Sequence, residues 1–130
     1  MKKGFTLVEI MIVVAIIALL AAIAIPNLLR ARLNANDSAA KADLQALVTA
    51  LESYAAANGQ YPTNESDLTG ATPAYLNESL CGGTKHGYTF SCTLNSSSYS
   101  VTASATTCGT SGSKSYTVTT GNVWTTADCS

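Results

Sequence analysis

Phe5-Thr6-Leu7-Val8-Glu9-Ile10-Met11-Ile12-Val13-Val14-Ala15-Ile16-Ile17-Ala18-Leu19-Leu20-Ala21-Ala22-Ile23-Ala24-Ile25 is the stretch that decides the fold. It is apolar apart from Thr6 and Glu9, and beyond Glu9 it carries no polar side chain at all. Coiled as a helix, residues 5–25 measure about 31 Å, the thickness of one hydrocarbon core. A helix apolar on every side has to be covered by lipid or by protein. A chain of 130 residues builds no core wide enough to surround it. Lipid, or other copies of the same chain, is the expected cover.

Outside this stretch the composition changes. Only 12% of the residues are charged and the net charge is −1, whereas a typical globular chain is about a quarter charged. Seven Lys and Arg do not make the basic face that phosphate contacts require, so a nucleic-acid partner is not expected. About half of residues 84–130 are Ser or Thr. With one His, and few carboxylates toward the C-terminus, no catalytic centre, cofactor or metal site is expected. The pattern is a membrane-linked segment carrying a polar, exported domain.

Glu9 separates the readings of the N-terminus. An ordinary signal peptide, cut at Ala22-Ile23-Ala24, predicts a soluble protein starting at Ile25. A plain anchor predicts one span and nothing more. Neither gains from a carboxylate inside an apolar run, which costs several kcal/mol unless it is neutralised. Met1-Lys2-Lys3 followed by Gly4-Phe5-Thr6-Leu7-Val8-Glu9 resembles the prepilin signal of type IV pilins and type II secretion pseudopilins. The resemblance runs to about Pro62. It continues in Tyr54-Ala55-Ala56-Ala57-Asn58-Gly59-Gln60-Tyr61-Pro62-Thr63, which is similar to a stretch common in the pseudopilin branch.

The resemblance implies that prepilin peptidase cuts between Gly4 and Phe5 and that Phe5 becomes the methylated first residue. Phe5 and Glu9 would then carry assembly. The new ammonium of Phe5 needs a counter-charge in an apolar setting, and Glu9 lies one helical turn on, in its own chain or in a neighbour. It also implies an inner-membrane, single-pass precursor with its C-terminus outside, an assembly platform with its ATPase, and a homopolymeric extracellular filament. Arg30 and Arg32 nearly balance Lys2 and Lys3, so topology rests on the cleavage motif and not on the charge count.

Pro26 removes one helical hydrogen bond, and a kink or local melting is expected there. Beyond it Leu33, Ala40, Leu44, Leu47, Leu51 and Tyr54 recur at helical spacing and mark one core face. Arg32, Lys41, Asp43, Glu52 and Ser53 fall off that stripe and are expected on a solvated or subunit-facing surface. Asn58-Gly59 ends the helix, and Asn64-Glu65-Ser66-Asp67-Leu68 reads as a short capped turn. The Tyr54 and Tyr61 rings are expected to pin the intervening loop onto the helix.

Tyr88 to Leu94, Tyr99 to Ala103 and Tyr116 to Thr119 alternate as strands, with Asn95-Ser96-Ser97-Ser98 as a turn. The last strand pair bends at Gly121-Asn122 and ends near Trp124. Three or four antiparallel strands are expected, one face packed on Leu44, Leu47 and Leu51. His86 is expected in an exposed turn. Cys81, Cys92, Cys108 and Cys129 are even in number and lie in the exported half, which favours disulfides over zinc. Three connectivities are open; Cys81–Cys92 with Cys108–Cys129 is the expected one, because each closes a local loop.

The expected architecture is α+β, the pilin fold. One long helix, apolar in its first half and amphipathic in its second, packs on a small antiparallel sheet. Residues 1–4 form the leader, 5–25 the transmembrane and polymerisation helix, 26–58 the amphipathic helix, and 59–130 the C-terminal sheet region. The expected function is structural: a pilus-like filament subunit, not an enzyme. The alternative is a pseudopilin of a type II secretion system, building a periplasmic rod. Against that alternative, the Asp-rich calcium loop of the major pseudopilins is missing, since only Asp128 is acidic after Glu78.

Overall fold

The computed structural model describes residues 3–130; Met1 and Lys2, part of the expected leader, lie outside the described residues. Helix α1 (Leu7–Asn58) runs for 52 residues. It stops at Gly59, whose φ of 77° suits a residue without a Cβ and whose N–H donates to the Ala55 carbonyl at 2.8 Å. Pro26 lies inside α1, and the helix is unbroken there. Of the two expected distortions, local melting is therefore not found.

The chain divides into two compact units, one ending at Arg32 and the other spanning Leu33–Ser130. In the first unit the large apolar side chains stand exposed, from Phe5 at 86% to Ile10 at 47%, with no protein core to cover them.

The second unit holds the core. A short helix α2 (Ser66–Thr69) precedes strands β1 (Thr84–Lys85), β2 (Tyr88–Asn95), β3 (Ser98–Ala105), β4 (Lys114–Thr119) and β5 (Val123–Asp128). They form one antiparallel sheet in sequence order. Strand periodicity sends Tyr88, Phe90, Tyr99, Val101, Ala103, Tyr116 and Val118 to one face, where they are buried with Ala40, Leu44, Leu47, Val48 and Leu51 of α1. Ser and Thr occupy the alternate positions, among them Ser91, Thr93, Thr102 and Thr117, and point away from that core. The abundant hydroxyls are thus the outer half of an ordinary two-faced sheet.

Several details differ from the sequence reading. Five strands form, the added one being the two-residue β1, and the last strand runs past Trp124 to Asp128. No side chain caps α2. Glu65 instead accepts hydrogen bonds from Ser79 Oγ (2.7 Å), the Leu80 N–H (2.5 Å) and the Cys81 N–H (3.1 Å). Asp43 and Glu52, expected on a solvated or subunit-facing surface, are half-buried and bonded to residues of the sheet and its loops. Asp43 pairs with Lys85 Nζ at 3.2 Å and His86 Nδ1 at 2.9 Å. Glu52 accepts from Tyr99 Oη at 2.7 Å and Tyr61 Oη at 3.2 Å. A carboxylate at the edge of an apolar stripe keeps its place when a hydroxyl or a cation reaches it from another element.

Candidate functional site

The residues singled out at the N-terminus lie on the boundary between irregular chain and helix. Residues 3–6 have no regular structure and α1 begins at Leu7. Thr6 and Glu9 form a reciprocal cap. The Thr6 N–H donates to Glu9 Oε2 at 2.9 Å, and the Glu9 N–H donates to Thr6 Oγ1 at 3.2 Å. The Thr6 carbonyl accepts the Ile10 N–H at 3.3 Å. This is the Thr-x-x-Glu capping box, which satisfies two of the helix's orphan donors. Sequence reasoning gave Glu9 one role and overlooked this second one, although the spacing of the pair is visible in the sequence.

Gly4 and Phe5 stand just before the cap. Gly4 has no heavy atom near the place a Cβ would take, and the Phe5 ring is exposed. The bond between them is therefore on open, non-helical chain. From residue 10 to residue 25 the surface is a continuous apolar cylinder, and α1 is long and apolar enough to cross a membrane. Chemically this region can bury in lipid or against like helices. It has no group to perform a reaction.

In the second unit the polar side chains are committed to structure. Asp37 is buried; its carboxylate accepts from Tyr88 Oη, from the Ser113 N–H at 2.9 Å and from Ser113 Oγ at 2.5 Å. Burial pushes its pKa up, but the Ser113 hydroxyl, the Tyr88 hydroxyl and the Ser113 N–H together bring it below the usual carboxylate value. Burial and the bond to Asp37 both push the Tyr88 phenol up, and burial and Glu52 do the same for Tyr99. An open cleft of about 260 Å³ is lined by Glu78, Leu80, Gly83, Lys85 and Phe90 among others. Its one cation, Lys85, is bound to Glu78 and Asp43, and the Glu78 bond above all raises its pKa. No group of His, Cys, Asp and Glu able to hold a metal ion occurs among the described residues.

The four cysteines are joined as Cys81–Cys92 and Cys108–Cys129, each pair with Cα atoms 5.5 Å apart. The first ties the loop before β1 to β2. The second ties the β3–β4 loop to the segment after β5. Tyr61 meets Tyr99 edge to face at 5.0 Å, and Tyr54 meets Tyr75 at 5.5 Å. The two Tyr rings around the helix stop thus pack, as their spacing suggested.

Two family models match the chain. The prokaryotic N-terminal methylation motif matches residues 1–25, and the model of type II secretion system protein G matches residues 27–89. The chain is 43% identical to the type IV wide pilus major component PilA4 of Thermus thermophilus over 90 residues, 66% of this chain and 69% of that protein. It is 50% identical to the type IV major pilin PilA of Myxococcus xanthus over 60 residues, 46% of this chain and 27% of that one. It is 40% identical to the type II secretion system core protein G of Aeromonas hydrophila over 67 residues, 52% of this chain and 47% of that one. The chain thus spans less than half the length of these last two relatives.

Proposed function

The chain belongs to the type IV pilin family, and from that premise we propose that it is the structural subunit of an extracellular pilus-like filament. The family is a structural one and not a family of enzymes. One observation carries the reading: an exposed apolar helix on a chain whose other unit has a closed core of its own. Such a helix is stable only in lipid or among its own kind, which are the two environments a polymerising subunit passes through.

Prepilin peptidase cuts between Gly4 and Phe5, a bond on non-helical, accessible chain, and Phe5 is then N-methylated. The precursor waits in the inner membrane with its C-terminal unit outside. An assembly platform and its ATPase extract it, and burial of apolar surface at about 25 cal/mol per Å² favours packing of the extracted helices against one another. Glu9 sets the register by meeting the ammonium of Phe5. Pro26, one backbone bond short, is where the helix bends. Residues 5–25 make the polymer core and residues 59–130 the exposed surface.

Mass spectrometry of N-terminal peptides from fibres sheared off cells tests this. A peptide beginning at N-methylated Phe5 is expected. A soluble form beginning at Ile25 would sink the proposal. The second reading, a secretion pseudopilin, is favoured by the protein G match over residues 27–89; it predicts the same processed peptide confined to the cell envelope.

A further inference from the structure

Arg30 and Arg32 are cations that the chain leaves without a counter-charge. Residues 10–36 contain no Asp or Glu, so neither arginine has an acidic neighbour three or four places away on α1. The first carboxylate beyond them, Asp37, is held by Tyr88 and Ser113. Neither guanidinium enters an ion pair among the described residues, and both residues are exposed. Cations on the far side of a span also weaken the charge bias that orients it. Topology therefore does not account for them.

Their distance from the apolar run is set by α1, which continues through Pro26 without a break. With residues 5–25 filling the hydrocarbon, Arg30 lies about 7.5 Å and Arg32 about 10.5 Å past its edge. The headgroup layer is about 5–7 Å deep on each side. Helical side chains lean toward the N-terminus of their helix, here back toward the bilayer. Arginine stems lie along apolar surface while their heads seek polar groups, and exposed Leu28 and Leu29 provide such surface. Two places along a helix is about 200° around its axis, so the guanidiniums leave on opposite sides. A partner docked on one face would meet one of them. A bilayer surrounds the helix and meets both.

We propose that Arg30 and Arg32 bind the phosphates of anionic phospholipids in the leaflet on the side of the C-terminal unit, holding the precursor at a fixed depth. A guanidinium offers paired N–H donors that match phosphate oxygens. A net-negative headgroup is favoured over a zwitterionic one, whose own ammonium competes for the phosphate. The inference rests on the membrane-spanning reading of residues 5–25. In that reading the pair lies on the side toward which the subunit is drawn, so extraction carries both charges into water and never through hydrocarbon. Assembly can therefore break the hold.

The test places the full-length chain in vesicles of phosphatidylcholine with about one-third phosphatidylglycerol. The chain is then released into detergent, and its retained lipid is counted by native mass spectrometry. Wild type is expected to retain phosphatidylglycerol over phosphatidylcholine about tenfold beyond their ratio in the vesicles. Arg30→Gln combined with Arg32→Gln is expected to retain the two lipids in proportion to supply, while still floating with the vesicles. Lys41→Gln, about 13 Å beyond Arg32 along the helix, is expected to keep the preference. Proportional retention by wild type, or a preference that survives the double substitution or vanishes in Lys41→Gln, would overturn the proposal. So would displacement of the retained lipid by inorganic phosphate alone, which would mark a site for free anions. Wild-type chain that does not float with the vesicles would overturn the spanning reading, and the phosphate site with it.

Discussion

The cap observed at Glu9 and the register role proposed for it are separated by different substitutions. Glu9→Gln keeps a side-chain oxygen for the Thr6 N–H but removes the charge, while Glu9→Ala removes both. If the carboxylate sets filament register, both variants lose most assembled filament with precursor cleavage intact, as read by filament yield and an immunoblot of processing. If only the cap matters, Glu9→Gln assembles like wild type. Asp37 gives a pH prediction. Its folded pKa lies below the ordinary 3.8, so its contribution is complete above that value and fades as pH falls through the folded pKa. Melting by circular dichroism from about pH 6 down to about pH 2 should show a steeper acid loss in wild type than in Asp37→Asn. Parallel curves would show that this carboxylate does not drive acid unfolding. Neither Asp37 nor its role is visible in the sequence, because its partner Ser113 is 76 residues away. The Thr6–Glu9 cap, three residues apart, is legible there.

Gly112, between β3 and β4, shows how closely the connecting segments fit the core. A Cβ on Gly112 would lie 2.5 Å from the Tyr88 ring, the ring whose hydroxyl reaches Asp37. Gly112→Ala is expected to cost about 1–3 kcal/mol by overpacking, seen as a lowered Tm with disulfides intact. An unchanged Tm would mean that this loop yields freely. The staples act on the chain around it. Their spans of 11 and 21 residues predict roughly 3 kcal/mol each from loop closure. Cys108→Ser with Cys129→Ser should therefore lower stability by about that amount in a denaturant titration. The strands themselves follow from alternation that the sequence displays, but the two residues of β1 carry no period to detect.

At the scale of the molecule, stability is divided between two environments. The unit from Leu33 to Ser130 has its own core, while the apolar helix has none. The full chain is expected to stay with membranes through alkaline carbonate extraction and to need detergent for release. Recovery in the soluble fraction would contradict a lipid-held helix. The sheet's two edges differ in a way no composition reveals, one formed by the six residues of β5 and the other shared between the two-residue β1 and the end of β2.

The sequence by itself determined the apolar helix, its amphipathic continuation, the alternating strands and the even set of cysteines. Each of these is a local period or a count, fixed within a few residues of chain. Of the three disulfide pairings open to the sequence, the tertiary structure forms the one that local loop closure favoured, Cys81–Cys92 with Cys108–Cys129. It also assigned Asp37 to Tyr88 and Ser113, Glu52 to Tyr99 and Tyr61, and Asp43 to Lys85 and His86. Those partners are brought together only when the sheet closes over the helix. A carboxylate beside an apolar stripe reads as solvated until folding supplies, from a distant strand, the donor that lets it be buried.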